Sequence, residues 1–221
     1  MNASLDTDII IHLYKSGKKE LLFEFFDDLY IHEFLLENEV RTNSEQVYTE
    51  LLEDIKAKSI QVITTNDLIS RGIKNLFDDY VKEYACLFDR GELRAIALAK
   101  LLGIAAFVSD DTKNGGPHQL LVNEYIEAII PFAFYELLFL KYLQSELTAK
   151  QYYDSFKQIT DTSMSERPMN FNSKIKATVR RFTKGGSERD LKWRDDFCNK
   201  QSINLKQRMQ ELKQFLNNFK D

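Results

Sequence analysis

Short apolar segments alternate with longer amphipathic ones through the first part of the chain, and this alternation limits the possible folds more than any other feature. Two of the apolar segments, 60–64 (IQVIT) and 104–109 (IAAFVS), are rich in strand-forming residues. Apolar residues recur at helical spacing in the segments between them. This pattern predicts an α/β fold, with a central parallel sheet covered by helices on both faces. We expect five strands, at residues 3–5, 30–31, 60–64, 104–109 and 128–132.

The segments between these strands also carry signals for where helices begin and end. We expect two short helices before the second strand, the first of which ends at Gly17, and longer helices at residues 34–40, 46–58, 67–85 and 91–102. Ser44 fits the N-cap of the second longer helix, and Gly103 fits the C-terminal end of the last one.

Strand signals stop at about residue 135. The remaining chain predicts helices at 135–147, 149–159, 174–183 and 188–218, with a polar loop at 160–173. We therefore predict two domains, an α/β domain at 1–145 and a basic helical extension at 146–221.

Few residue types for metal or disulfide chemistry are present. The chain has two cysteines and three histidines, and no spacing among them that is typical of a zinc site. No apolar run reaches the roughly 18 residues of a membrane-spanning helix, and no charged-then-apolar leader precedes the first strand. We expect a reduced, cytoplasmic protein that does not contact membranes.

Charge is divided unevenly along the chain. The formal net charge of −4 is the sum of −10 over residues 1–150 and +6 over residues 151–221. A positive segment attracts polyanions, although solvated helices with unequal charge would look the same.

Carboxylates lie where the predicted strands end, which is the edge of a parallel sheet where ligands bind. The candidates are Asp6, Glu39, Glu92, Asp110 and Asp111. Taken singly, Asp6 also fits a helix N-cap, and Asp110-Asp111 also fits a turn. Together, carboxylates without histidine or thiolate predict a site for a hard divalent cation, Mg²⁺ or Mn²⁺.

Four motifs in this order resemble the PIN domain family of metal-dependent nucleases. They lie in the segments SLDTDIIIHL, LLENEV and DRGELRAIALAKLLGIAAFVSDDT. The first is an apolar strand followed by Asp6-Thr7, and the second is Glu39-Val40 on a helix. The third is Gly91-Glu92 followed by alanines and aliphatic residues, and the fourth is Ser109-Asp110-Asp111 after a strand. The resemblance covers about residues 3–145.

The resemblance implies a PIN-like three-layer α/β/α fold and a divalent-metal-dependent ribonuclease. Asp6, Glu92 and Asp111 would be metal ligands, Glu39 would hold a metal directly or through water, and Asp110 would share one. Glu37 is a rival to Glu39 for the second position, and one or two metals are both compatible with the motifs. RNA is the expected substrate, with single-stranded DNA left open. Because many family members are toxins, a protein inhibitor is an open alternative partner.

Two other classes of function compete with this reading. Asp6-Thr7-Asp8 and Asp110-Asp111 resemble motifs of haloacid-dehalogenase-like phosphatases, in which Asp6 would be a phosphorylated nucleophile. Thr64 and Lys113 would then have to complete that site, and Glu92 would have no role. The other alternative is a non-catalytic interaction module.

The basic extension predicts contact with nucleic acid. Lys174, Lys176, Arg180 and Arg181 lie close together, with Phe182 and Trp193 nearby. Cations interleaved with aromatic side chains suit phosphate contacts and base stacking. A second interpretation is that these residues pack the extension against the acidic domain. The apolar stripe Leu205, Met209, Leu212 and Leu216 fits either a core or a partner-binding face, including a homodimer seam.

Overall fold

The computed structural model describes residues 1–110, 128–164, 168–183 and 185–218. The chain forms two compact units, Met1–Phe134 and Tyr135–Asp221. The boundary between the two units lies after Phe134, at the start of a helix. The sequence-based boundary lies after residue 145.

A five-stranded parallel sheet forms the centre of the first unit. Its strands are β1 (Ala3–Leu5), β2 (Leu29–His32), β3 (Ile60–Ile63), β4 (Ala106–Val108) and β5 (Ile130–Phe132). Their order is β3-β2-β1-β4-β5, and each neighbouring pair is parallel. The predicted α/β class and parallel sheet are confirmed, and three of the strands are shorter than the sequence predicts.

Helices connect these strands. They are α1 (Thr7–Lys15), α2 (Glu20–Phe25), a π-helix (Leu35–Val40), α3 (Arg41–Asn43), α4 (Glu45–Lys56), α5 (Thr65–Ser70), α6 (Lys74–Glu83) and α7 (Arg90–Leu102). The single helix predicted at 67–85 is two helices, because Gly72 between them adopts a left-handed φ of 71°. The predicted ends at Gly17 and Gly103 are confirmed, with φ values of 66° and 65°.

Helix α7 packs closely on the sheet because small side chains face the strands. Ala95 and Ala99, one turn apart on the same face of the helix, are fully buried. The Ser4 hydroxyl in β1 donates a hydrogen bond to the Ala95 carbonyl at 2.8 Å. Crossovers between parallel strands are almost always right-handed, and with this strand order that rule puts α1 and α4 on one face of the sheet and α7 on the other, as three layers require.

The strand order creates a crevice between β1 and β4. From β1 the chain proceeds through β2 to β3, and then returns to β4 on the opposite side of β1. Ligands of open α/β sheets bind at such a reversal, beyond the carboxyl ends of the strands. Asp6 directly follows β1, and Ser109 directly follows β4.

All elements described in the second unit are helices. They are α8 (Phe134–Leu143, whose first residue closes the first unit), α9 (Ala149–Ser163), α10 (Phe171–Arg181), α11 (Glu188–Lys200) and α12 (Leu205–Asn218). Helix α9 extends into the predicted loop at 160–173. The helix predicted at 188–218 is interrupted, and Ser202 has a left-handed φ of 55° there.

Buried aromatic side chains form the core of the second unit. Phe139 contacts three of the others, and Phe171 packs edge-on against Tyr152 and Phe156. The cluster consists of Phe139, Tyr142, Tyr152, Phe156, Phe171 and Phe182, each at most 2% exposed.

In the described part of the chain, no helix has the length and apolar character needed to cross a bilayer.

Candidate functional site

Asp6 lies buried at the crevice between β1 and β4. It is the N-cap of α1, where its Oδ1 accepts a hydrogen bond from the Thr7 backbone N–H at 2.8 Å. Its Oδ2 accepts a hydrogen bond from the Ser109 hydroxyl at 2.7 Å. Burial, followed by the negative charge of Asp8, raises the pKa of Asp6 well above its usual value. The side chain is therefore both a helix cap and a destabilised carboxylate that an added cation would stabilise.

Glu39 reaches the same place from the π-helix. The Thr7 hydroxyl donates a hydrogen bond to Glu39 Oε2 at 2.5 Å. The carboxylate also lies against the backbone of Gly91, where an added Cβ would overlap it. Partial burial is the main cause that raises the pKa of Glu39. Glycine at position 91 is thus needed for Glu39 to approach the start of α7.

The start of α7 brings the third motif to this edge of the sheet. Asp89 is the N-cap of the helix, and its carboxylate accepts a hydrogen bond from the Glu92 backbone N–H at 3.1 Å. The Glu92 side chain is only 3% exposed. Acidic residues suit a helix N-terminus because the unpaired N–H groups there carry partial positive charge.

Glu37 and Glu39 point to different surroundings. Glu37 is exposed, accepts hydrogen bonds from the Tyr48 hydroxyl and pairs with Arg41. Glu39 instead contacts Thr7 and Gly91. The geometry therefore favours Glu39 as the residue that joins Asp6, although the sequence left the two open.

Asp110 is held by the protein on both of its oxygens. Its Oδ1 accepts a hydrogen bond from the Phe134 backbone N–H at 2.8 Å, and its Oδ2 lies 3.0 Å from His12 Nδ1. The carboxylate thereby ties the end of β4 to α1. This arrangement gives Asp110 a structural role that the sequence did not predict.

The structure places four of the five predicted carboxylates, and Asp111 lies outside the described residues. Asp6, Glu39 and the start of α7 with Glu92 come to one edge of the sheet. Within the residues that the structure describes, no three His, Cys, Asp or Glu side chains are grouped closely enough to hold a metal ion. The oxygen-only donor chemistry suits Mg²⁺ or Mn²⁺, but the described residues do not complete the coordination.

Two further acidic residues lie near this site. The sequence analysis named Asp8 only for the phosphatase alternative, and it gave Asp89 no role. Asp8 and Asp89 both raise the pKa of Asp6 and of Glu39 by their charge. Asp89 precedes Glu92 by three residues, which is the spacing of a helix N-terminal signature, and that signal was available in the sequence.

The four cations of the predicted basic surface differ in how far they are exposed to solvent. Arg181 is buried in the second unit, where its guanidinium contacts Glu136 at 2.8 Å and Asp190 at 2.7 Å. Lys176 and Arg180 are exposed, and the Lys174 ammonium lies 5.1 Å from the centre of the Tyr135 ring. Arg181 is therefore part of a buried ion-pair network, and RNA cannot reach its guanidinium without breaking that network.

The convergence of Asp6, Thr7, Glu39 and the start of α7 depends on contacts between distant segments of the chain. Comparison with protein-family models, with curated proteins and with solved structures finds no match to the chain.

Proposed function

We propose that the first unit is a PIN-like domain and that the protein is a divalent-metal-dependent ribonuclease. One observation carries the proposal. Asp6-Thr7, Glu39 and Gly91-Glu92, which belong to three separate motifs, meet beside the crevice where the strand order reverses. The fourth motif joins them through the hydrogen bond from Ser109 to Asp6.

Asp6, Glu39, Glu92 and Asp111 would hold the cation. When bound, Mg²⁺ or Mn²⁺ would lower the pKa of a water molecule and offset negative charge on the leaving oxygen. The protein's own contribution is to keep these carboxylates in place. Thr7 orients Glu39, Ser109 orients Asp6, and Gly91 leaves the space that Glu39 occupies.

RNA would be held in part by the exposed cations of the second unit. Lys176 and Arg180 lie four residues apart on α10, so they share one face of the helix. Contacts from such residues to phosphates would bind RNA without regard to sequence. Lys174 lies on the same helix, and Arg181 has no part in this surface because it is buried.

The phosphatase alternative has less support. It requires Thr64 close to Asp6, but Thr64 caps α5 through hydrogen bonds with Asp67. Thr64 also follows β3, which is separated from β1 by β2. Two strand spacings amount to about 10 Å, which is too far for both residues to bind one phosphate.

Adding Mn²⁺ should stabilise the protein and activate RNA cleavage. A ligand that binds only the folded state raises the free energy of unfolding by about 2.7 kcal/mol when its concentration is one hundred times its dissociation constant. We expect a rise in melting temperature at millimolar Mn²⁺, with RNA cleavage that chelator abolishes. No thermal shift together with no cleavage would overturn the proposal. Hydrolysis of p-nitrophenyl phosphate with intact RNA would instead favour the phosphatase.

Substitutions at the two ends of α7 should separate the site from the fold. Gly91→Ala should displace the Glu39 carboxylate and remove the Mn²⁺-dependent thermal shift, with little change in the melting temperature of the metal-free protein. Gly103→Ala should keep the Mn²⁺ shift but lower that melting temperature, because a side chain at φ 65° costs about 1–2 kcal/mol. A normal Mn²⁺ response in Gly91→Ala would show that Glu39 does not belong to the metal site.

A further inference from the structure

A polar cavity of about 340 Å³ lies in the first unit at the ends of β2 and β3. Its wall contains residues from the end of β2, the π-helix, α5, α6 and α7. Those that matter for its chemistry are His32, Phe34, Glu37, Asn38, Lys74 and Arg94.

His32 lines this cavity, and its ring carries a buried hydrogen-bond donor that has no acceptor among the described residues. The ring is 5% exposed and stacks on Phe77 at a centroid distance of 5.0 Å. Its Nδ1 accepts a hydrogen bond from the Phe34 backbone N–H at 3.0 Å, which puts the proton of the neutral ring on Nε2. Burial lowers the pKa of His32 to about 4, so the ring is neutral at pH 7. Among the described residues, Nε2 has no hydrogen-bond partner.

A buried N–H without an acceptor is costly, and a ligand that supplies one would remove that cost. Aromatic and planar groups line the same cavity. The Arg94 guanidinium lies 4.1 Å from the centre of the Phe34 ring, and Glu37 and Asn38 add acceptors and an amide. A flat heterocycle with both donors and acceptors matches this lining better than an aliphatic ligand does.

The charges of the lining argue against an anion as the ligand. Glu33, Glu37 and Asp78 outnumber Lys74 and Arg94 when His32 is neutral. Lys74 is already paired with Asp78. A neutral base is therefore favoured over a phosphate group.

The cavity adjoins the candidate metal site. His32 ends β2, so the cavity lies at the same edge of the parallel sheet as Asp6. The π-helix lines the cavity with Glu37 and Asn38, and its next residue, Glu39, contacts Thr7. The positive charge of Arg94 also acts on Glu39.

We propose that this cavity binds one nucleobase of the RNA substrate, with His32 Nε2 donating a hydrogen bond to a base oxygen or ring nitrogen and the Phe34–Arg94 pair stacking on the base. The inference rests on the proposed function, because it assigns the base to the strand that the carboxylates cleave. The cavity would then set which nucleotide is preferred next to the cleaved bond.

The test is to titrate the full chain with each of the four ribonucleoside 5′-monophosphates in chelator, where no cleavage occurs. NMR of the His32 imidazole nitrogens reports on the proposed hydrogen bond directly. We expect at least one nucleotide to bind and to shift Nε2. His32→Phe, which keeps a ring against Phe77, and Arg94→Gln should each weaken binding at least tenfold. Lys100→Gln, an exposed charge loss on the same helix as Arg94, should have no effect.

Several results would overturn this inference. The first is that the NMR signals of the His32 ring nitrogens do not shift at 10 mM nucleotide. The second is that Arg94→Gln and Lys100→Gln lose nucleotide affinity equally. The third is that inorganic phosphate alone causes the same His32 shift as a nucleotide. If His32→Phe does not fold, the wild-type NMR titration and Arg94→Gln still decide. An RNA cleavage assay separates the two proposals. If the protein cleaves RNA but no nucleotide binds in this cavity, the ribonuclease proposal holds and the nucleobase site is refuted. If a nucleotide binds in the cavity but RNA is not cleaved, the nucleobase site holds and the result contradicts the ribonuclease proposal.

Discussion

Asp6→Asn is expected to abolish metal-dependent RNA cleavage and leave the fold intact. Asparagine caps a helix about as well as aspartate, so α1 should retain its N-terminus. The substitution removes the negative charge that a divalent cation requires. Mutation of a residue that only supports a metal ligand typically lowers metal affinity or activity 10–100-fold. Because Asp6 would itself be a ligand, we expect the rate of RNA cleavage to fall by more than about 100-fold. Cleavage of a labelled RNA in Mn²⁺, with a thermal melt on the same sample, measures both effects.

The control for this variant is Asp79→Asn, which removes a negative charge from an exposed position on α6. It should cleave at the parental rate. Glu39→Gln should also lose the Mn²⁺-dependent thermal shift, and Glu37→Gln should keep it because Glu37 is turned toward Tyr48 and Arg41. Parental cleavage by Asp6→Asn would refute the assignment of the site.

Arg181→Met should destabilise the second unit strongly. The guanidinium is the shared partner of Glu136 and Asp190, which are 1% and 0% exposed. Methionine fills much of the same space but leaves the Glu136 carboxylate buried without that charge. Breaking a buried ion pair by removing one partner costs about 3–5 kcal/mol. Urea denaturation of the variant and the parent would measure the difference.

Arg180→Met is the matched control, because it makes the same chemical change at the neighbouring exposed position. Its effect should stay within about 0.5 kcal/mol. Equal destabilisation by the two variants would contradict the buried network.

The effect of Arg181→Met should also depend on pH. Burial alone would raise the pKa of Asp190, but hydrogen bonds and charge from Arg181 and Arg189 lower it below its usual value. A carboxylate with a lowered folded-state pKa stabilises the fold above its unfolded pKa of about 3.9. That contribution is lost as the pH falls through the folded value. The difference between the variant and the parent should therefore shrink below about pH 4.

Much of the architecture could be read from the sequence because it depends on local signals. The alternation of strand and helix patterns predicted all five strands, and the helix ends at Gly17 and Gly103 were correct. Boundaries were less predictable. The π-helix at Leu35–Val40 has the same apolar spacing as an α-helix, and the break at 201–204 carries no Gly or Pro to signal it.

The candidate site was only partly predictable. Sequence order identified Asp6, Glu39 and Glu92 as acidic residues near strand ends and helix starts. It did not distinguish Glu37 from Glu39. These residues lie on nearly opposite faces of a helix, and a small shift in where the helix begins changes which of them faces Asp6. It also grouped Arg181 with Lys176 and Arg180, although one is buried and the others are exposed. Neighbouring residues on a helix face different surroundings, and the packing partners lie far away in the chain.

The sequence by itself determined the α/β class, the parallel sheet and the acidic character of the residues at its edge, because periodicity and side-chain chemistry are properties of the chain. Only the tertiary structure decided the strand order, and with it the crevice between β1 and β4 that brings Ser109 to Asp6. It also decided that Glu39 packs on Gly91, that His32 keeps a buried donor, and that Arg181 pairs with Glu136. The contacts among these join residues far apart in sequence, and all of these features depend on how complete elements pack rather than on any local pattern.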